Sequence, residues 1–275
     1  MTVTPQSSRP EIGQRVDANG VGTNYLEAGE GSPVVLVHGS GPGVTAFANW
    51  RLTIPTLATE HRVLAPDMAG FGFSDKPGEY SMDRWVDQLD GFLTALGLDK
   101  VSLVGNSFGG GLAIAFATRW PERVDKLVLM GSVGISFPIT EGLDAVWGYE
   151  ASIENMRGVL DFFAYDRNLV NDELAELRYR ASIEPGVQEA FAAMFPAPRQ
   201  RWVDAMATAE DKIAALPHDV LIIHGRDDKV IPVDNALRLL QLIHRAQLHV
   251  FGRCGHWTQI EHAAAFNELL LDFLR

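Results

Sequence analysis

The sequence predicts an α/β fold: a mostly parallel central sheet flanked by helices, with a helical segment inserted after the sixth strand. Three observations predict it. Short apolar runs of strand length alternate with helical stretches through the first half of the chain, the order that builds a parallel sheet covered on both faces. Residues 136–212 then hold no convincing strand, and strands resume only at Val220. Finally, Val101-Ser102-Leu103-Val104 runs into Gly105-Asn106-Ser107-Phe108-Gly109-Gly110-Gly111 and on into the helix-compatible run Leu112–Thr118: strand, sharp turn, helix. The expected division is a core of residues 1–135 and 213–275 and a helical cap, or lid, of residues 136–212.

The elements follow in order. Residues 1–20 are polar and read as loose chain or at most an edge strand. Residues 23–28 form a strand that Gly29-Glu30-Gly31 turns. Pro33 leads into Val34-Val35-Leu36-Val37, a continuous apolar run of the kind buried on both faces of a parallel sheet. It ends in His38-Gly39-Ser40-Gly41-Pro42-Gly43, a glycine-rich loop at a strand's carboxyl end, where open α/β sheets bind ligands. Arg62–Pro66 is the next strand. Residues 82–97 form an amphipathic helix whose stripe of Trp85, Val86, Leu89, Phe92, Leu93 and Leu96 is core, with Gly97 as its stop. After the elbow strand and helix, Lys126–Met130 is a further strand. The insertion holds helical pieces at 152–164, 171–182 and 199–209, separated by Pro185-Gly186, Pro196 and Pro198. Strands return at 220–223 and 247–251, with a helix over 233–244 between them and a closing helix with the stripe Phe266, Leu269, Leu270, Phe273 and Leu274.

Bulk properties narrow the function. The chain has 275 residues, of which 47% are hydrophobic, enough for one α/β domain with an insertion. A net charge of −12 with no basic run argues against nucleic acid and anionic membrane as partners. It leaves room for an anionic small substrate, because exposed charges are screened over about 8–10 Å and one local arginine dominates a pocket. The single cysteine, Cys254, excludes an intramolecular disulfide and reads as a small buried filler. No apolar leader core and no long apolar stretch occurs, so a soluble cytoplasmic protein is expected. No Cys/His spacing suggests zinc.

The turn around Ser107 has the form of a nucleophile elbow. A serine on a strained strand-to-helix turn has its hydroxyl pushed out above the sheet. Gly105 and Gly109 leave space where a Cβ would clash. The start of the helix offers free N–H groups to an oxyanion, and the Gly39–Gly43 loop offers a second donor. A serine nucleophile needs a base, and the base needs an acid. In such folds the chain order is Ser, acid, His. Of eight histidines, His61 and His218 precede strands, His244 and His262 lie on helices, and His249 lies inside a strand. His38 and His224 come too early. His256 follows a strand's carboxyl end between Gly252 and Gly255 and is the expected base. The acid lies in His224-Gly225-Arg226-Asp227-Asp228-Lys229-Val230-Ile231-Pro232, where Asp227 and Asp228 both fit.

With these residues placed, the chain resembles an α/β-hydrolase with a helical cap. The Gly-Arg-Asp-Asp loop is similar to that superfamily's acid loop, in which the second aspartate belongs to the triad, and the resemblance therefore selects Asp228. The match narrows further. His38-Gly39-Ser40-Gly41-Pro42-Gly43 with Asn49, Gly105-Asn106-Ser107-Phe108-Gly109-Gly110, and Cys254-Gly255-His256-Trp257 resemble the meta-cleavage product hydrolases, which cut carbon–carbon bonds in ring-fission products of aromatic degradation. The segments Glu141–Tyr149 and Met194–Trp202 look like the branch acting on 2-hydroxymuconic semialdehyde and its alkyl relatives. The resemblance spans residue 11 to the end.

It implies a triad of Ser107, Asp228 and His256 and an oxyanion hole of the Ser40 and Phe108 N–H groups. Gly41, Asn49, Asn106, Arg178 and Trp257 would line the substrate's polar end. Arg178 would meet the substrate's carboxylate and 2-oxo group, with Arg157 and Arg180 as its competitors. The implied partner is a small anionic dienoate, cleaved to 2-hydroxypenta-2,4-dienoate plus formate or a short carboxylic acid. No cofactor and no metal are called for. A homo-oligomer is plausible for such a family. Two rivals use the same scaffold: a carboxylesterase, and a ligand receptor without catalysis, against which the intact triad and oxyanion loop argue. A haloalkane dehalogenase is disfavoured because Ser107 stands where that chemistry uses an aspartate.

Overall fold

A computed structural model describes residues 9–275. The first eight residues, part of the stretch expected to be loose, lie outside the described residues. Eight strands form one sheet: β1 (Gln14–Ala18), β2 (Val21–Ala28), β3 (Ser32–Val37), β4 (His61–Pro66), β5 (Val101–Asn106), β6 (Val124–Met130), β7 (Asp219–Gly225) and β8 (Ala246–Phe251). Their spatial order is β1-β2-β4-β3-β5-β6-β7-β8. Only the β1–β2 and β2–β4 pairs are antiparallel, so the edge strand expected within residues 1–20 is β1. From β4 to β8 every pair is parallel.

Strand alternation splits the apolar residues between two cores. Val35 and Val37 of β3 face one side with Leu64, Leu103, Leu129 and Ile222, and Val34 and Leu36 face the other with Val63, Val104, Val128 and Ile223. Helices α3 (Met82–Ala95), α4 (Phe108–Arg119) and α11 (Val233–Leu242) cover the first face. Helices α1 (Ala46–Trp50), α2 (Ile54–Leu57) and α13 (Ala263–Leu274) cover the second. A one-turn helix, α12 (Thr258–Glu261), follows the loop of His256.

Between β6 and β7 the chain runs through α5 (Glu141–Trp147), α6 (Ile153–Phe163), α7 (Asp172–Ser182), α8 (Val187–Met194), α9 (Gln200–Ala205) and α10 (Glu210–Ala214), with no strand. Capping sets where several of these begin. Thr140, Ser152 and Asn171 each accept a backbone N–H of the first turn of α5, α6 and α7.

The expected helix over 199–209 is instead two short helices, α9 and α10, because Thr208 leaves the helical path to donate its N–H to Gly134 O at 2.9 Å. The expected helix over 233–244 stops at Leu242, where Ile243 turns extended (φ −91°, ψ 109°). His244 therefore lies in a turn, and His262 lies at the break between α12 and α13 rather than inside a helix.

Candidate active site

The site is assembled at the carboxyl ends of β3, β5, β6, β7 and β8. At the end of β5, Ser107 holds φ +54° and ψ −113°, a backbone conformation that costs energy for any residue with a Cβ. The surroundings fix it there. Its N–H donates to Met130 O at 2.8 Å, and its carbonyl accepts Gly110 N–H at 3.0 Å and Val133 N–H at 3.2 Å. The flanking glycines are required by close approach. A Cβ on Gly105 would lie 2.3 Å from Gly109 O, and one on Gly109 would lie 2.3 Å from Val37 O.

His256, which lines the same cavity as Ser107, is held by Asp228. His256 Nδ1 donates to Asp228 Oδ2 at 2.7 Å, which leaves Nε2 as the ring's other nitrogen, and both side chains are buried. Asp228 Oδ1 accepts the N–H groups of Val230 at 2.7 Å and Ile231 at 2.9 Å. Burial works against its charge, but the hydrogen-bonded His256 and the neighbouring His224 hold its carboxyl well below the ordinary aspartate range. Gly131, at φ +51°, makes room for the pair: a Cβ there would lie 3.2 Å from the His256 ring. Phe163 of α6 accepts His256 N–H at 2.7 Å and Trp257 N–H at 3.2 Å, and its ring stacks on both side chains.

The two N–H groups expected at an oxyanion hole belong to Ser40, in the cavity-lining loop after β3, and Phe108, the residue after Ser107. Phe108 is the first residue of α4, so its N–H has no partner within the helix. Among the described residues neither N–H finds an acceptor. The Ser40 loop is braced from both sides. His38 donates Nδ1–H to Gly39 O at 2.7 Å and accepts Met68 N–H on Nε2 at 2.9 Å. Burial pushes its pKa down to about 4, against the Gly39 hydrogen bond, so the ring stays neutral. From the inserted helices, Trp147 Nε1 donates to Ser40 Oγ at 3.0 Å and its ring stacks on Phe195.

These groups border a cavity of about 420 Å³. Its lining includes Ser107 and His256, an apolar wall of Leu143, Val146, Phe163 and Val230, and a polar end with Gly41, Asn49, Asn106, Arg178 and Trp257. Two buried amides bond to each other there. Asn49 Oδ1 accepts from Gly39 N–H at 3.2 Å and from Asn106 Nδ2 at 2.9 Å. Asn49 Nδ2 and Asn106 Oδ1 have no partner among the described residues and are buried beneath the cavity surface. Arg178 donates Nη2–H to Pro42 O at 3.0 Å. Burial, then the neighbouring charge of Arg51, lowers its pKa to about 10 against the pull of Tyr149, so it remains a cation.

Each residue expected from the sequence has a definite place. Ser40, Gly41, Asn49, Asn106, Ser107, Arg178, His256 and Trp257 line the cavity. Asp228 stands behind His256, and the Phe108 side chain is buried in the core beneath. Asp227 is not beside His256: it accepts Cys254 N–H at 3.3 Å and is paired with Arg226. Arg157 and Arg180 are exposed and ion-paired to Asp172 and Glu176 outside the cavity. Four contributors escaped the sequence reading: Trp147, Phe163, His224 and Arg51. Position relative to motifs marks none of them. Only His224, four residues before Asp228, carried a local signal.

The family model described as alpha/beta hydrolase fold matches residues 32–263. The chain is 64% identical over 272 residues to a 2-hydroxymuconate semialdehyde hydrolase of Pseudomonas sp. (strain CF600), covering 98% of this chain and 96% of that protein. It is 63% identical over 266 residues to the 2-hydroxy-6-oxo-2,4-heptadienoate hydrolase of Pseudomonas putida strain F1, covering 96% of each. Among solved structures it is similar to a serine-to-alanine variant of the meta-cleavage product hydrolase CumD from Pseudomonas fluorescens IP01, complexed with acetates. That match has a TM-score of 0.96 and 62% identity over 97% of this chain and 98% of that one.

Proposed function

The chain belongs to the meta-cleavage product hydrolases of the α/β-hydrolase fold family, and from that membership we propose how its residues carry out the reaction. It hydrolyses a carbon–carbon bond in ring-fission products of aromatic degradation, 2-hydroxymuconate semialdehyde or its 6-alkyl relatives. The products are 2-hydroxypenta-2,4-dienoate and formate or a short carboxylic acid. Ser107, Asp228 and His256 form the triad. The observation that carries this reading is one cavity lined by Ser107, Ser40, the cation Arg178 and His256, whose imidazole is held by Asp228.

A carbanion is a poor leaving group unless its charge is delocalised. The dienol therefore first ketonises: a proton is added at C5 and the 2-hydroxyl loses its own. Arg178 holds the carboxylate and 2-oxo group, beside the Asn49 and Asn106 side chains that line the cavity, while charge shifts there. The C6 carbonyl then receives the nucleophile, either the Ser107 hydroxyl or a water whose proton His256 takes. Both routes give a tetrahedral oxyanion held by the Ser40 and Phe108 N–H groups; one such donor contributes about 3–4 kcal/mol to lowering the barrier. Collapse breaks C5–C6 and returns the electron pair through the enone to the 2-oxo oxygen, which takes up the proton held by His256, and the dienol leaves. Water supplies the OH of the acid product. No step calls for a metal or cofactor.

We further propose that residues 136–212 act as a cap: α5, α6 and α7 supply Leu143, Val146, Phe163 and Arg178 to the cavity wall and Trp147 braces Ser40. The substrate's acyl end would rest against Leu143, Val146 and Val230, where one methylene changes preference by about 1–3 kcal/mol. Product analysis tests the assignment. Incubation with 2-hydroxymuconic semialdehyde should release formate and 2-hydroxypenta-2,4-dienoate in equal amounts. Cleavage of simple aryl esters without any turnover of the dienoate would favour the carboxylesterase.

A further inference from the structure

The cavity holds a second cation besides Arg178. Arg51, the C-terminal cap of α1, lines the same space and donates Nη1–H to Ala48 O at 2.8 Å. Neither Arg51 nor Arg178 is ion-paired among the described residues; their assigned hydrogen bonds go to backbone carbonyls. A guanidinium carries five N–H donors, so each keeps most of its capacity free.

Three features make this arrangement costly without an anion. Burial disfavours the charge on Arg178, and more weakly that on Arg51, whose side chain keeps contact with solvent. The two cations repel: the charge of Arg51 is the second cause, after burial, that lowers the pKa of Arg178. The acids at the rim do not relieve it, since Glu11 and Glu173 line the cavity but pair with neither arginine. Meanwhile the chain as a whole carries a charge of −12, which repels an approaching carboxylate. A pair of unpaired arginines at the mouth reverses that field locally, within about a Debye length.

We infer that Arg51 is a second carboxylate-binding residue at the mouth of the pocket: it draws the anionic dienoate in against the chain's net charge and, with Arg178, grips its carboxylate. The inference rests on the reading of the substrate as a dienoate. Arg51 acts on capture and affinity and stands apart from the bond that breaks. Its loss should therefore change KM and leave kcat nearly intact.

The test is steady-state kinetics of the parent, Arg51→Gln and Arg51→Lys on 2-hydroxymuconic semialdehyde over a range of ionic strength. Arg51→Gln should raise KM about threefold to tenfold with kcat changed by less than about twofold, and Arg51→Lys should recover most of the loss. The parent's kcat/KM should fall as salt rises, with a shallower slope in Arg51→Gln. An unchanged KM and salt slope in Arg51→Gln would overturn the inference, as would a parent kcat/KM that rises with salt, a result that needs no variant. If the parent does not turn over the dienoate, the proposed function has failed. Arg51 is then judged separately by tryptophan-fluorescence titration with 2-oxopentanoate: weaker binding by Arg51→Gln supports the second anion site, and equal binding removes it.

Discussion

Asp228 divides its two carboxylate oxygens between two tasks. Oδ2 takes the His256 Nδ1–H at 2.7 Å, while Oδ1 is tied to the backbone of Val230 and Ile231. The second task makes the first rigid, because the loop that carries the acid is folded onto it. The same Oδ2 lies 3.4 Å from His224 Nε2, whose hydrogen bond goes to Ile231 O. An amide at position 228 keeps the shape but cannot accept at both oxygens, so it favours the wrong imidazole tautomer. Asp228→Asn should lower kcat about 10³–10⁴-fold while the far-UV circular dichroism stays native. A loss of less than about tenfold would remove Asp228 from the triad.

Arg178 is held by one backbone carbonyl and has no acid partner, so little of the fold depends on its charge. Arg178→Gln should reduce kcat/KM for the dienoate about 10²-fold or more, with a thermal midpoint near that of the parent. Retention of dienoate turnover would place the carboxylate elsewhere.

Acid stability should report on two buried groups of opposite sign. Folded His38 takes up a proton only near pH 4 instead of 6.5. Its contribution is full above pH 6.5 and is lost as pH falls toward 4, about 3 kcal/mol at most. Asp67 has its pKa raised by burial from 3.8 to about 6, against hydrogen bonds from Ala46, Phe73 and Asn24. Its ionisation costs stability as pH rises through that window, so it partly offsets His38. In His38→Gln only the Asp67 effect remains. Urea midpoints at about pH 7 and about pH 4.5 should show the variant losing less stability on acidification than the parent. Equal losses would mean that His38 is protonated in the folded state.

Cys254 is fully buried, and burial followed by the charge of Glu261 pushes its thiol up to about 12. The native protein should give no reaction with a thiol reagent such as Ellman's at neutral pH, and one thiol per chain once unfolded in guanidinium. Rapid reaction of the native protein would show that the loop before His256 opens.

The parts of the site that follow from local rules were legible in the sequence. The elbow is a contiguous pattern whose glycines are dictated by 2.3 Å approaches to neighbouring backbone. His256 stood out because it follows a strand's carboxyl end. The choice between Asp227 and Asp228 was not local. It depends on which of two adjacent side chains faces His256 and which faces Cys254, and the loop geometry alone decides that. The inserted helices were legible as helices but not as site. Trp147 reaches Ser40 across 107 residues, and Phe163 accepts from His256 N–H across 93 residues of chain. No periodicity in a helix announces a partner in another layer. Arg51 was hidden for a similar reason: a cation's lack of a partner is visible only in three dimensions.

The measurement that bears most directly on the account is the rate at which the yellow 2-hydroxymuconic semialdehyde is bleached by the parent and by Ser107→Ala. The account predicts fast bleaching by the parent and a loss of about 10³-fold or more in the variant, with both proteins folded. Bleaching by Ser107→Ala at the parent's rate would contradict a serine-centred site, and no bleaching by the folded parent would contradict the carbon–carbon hydrolase itself.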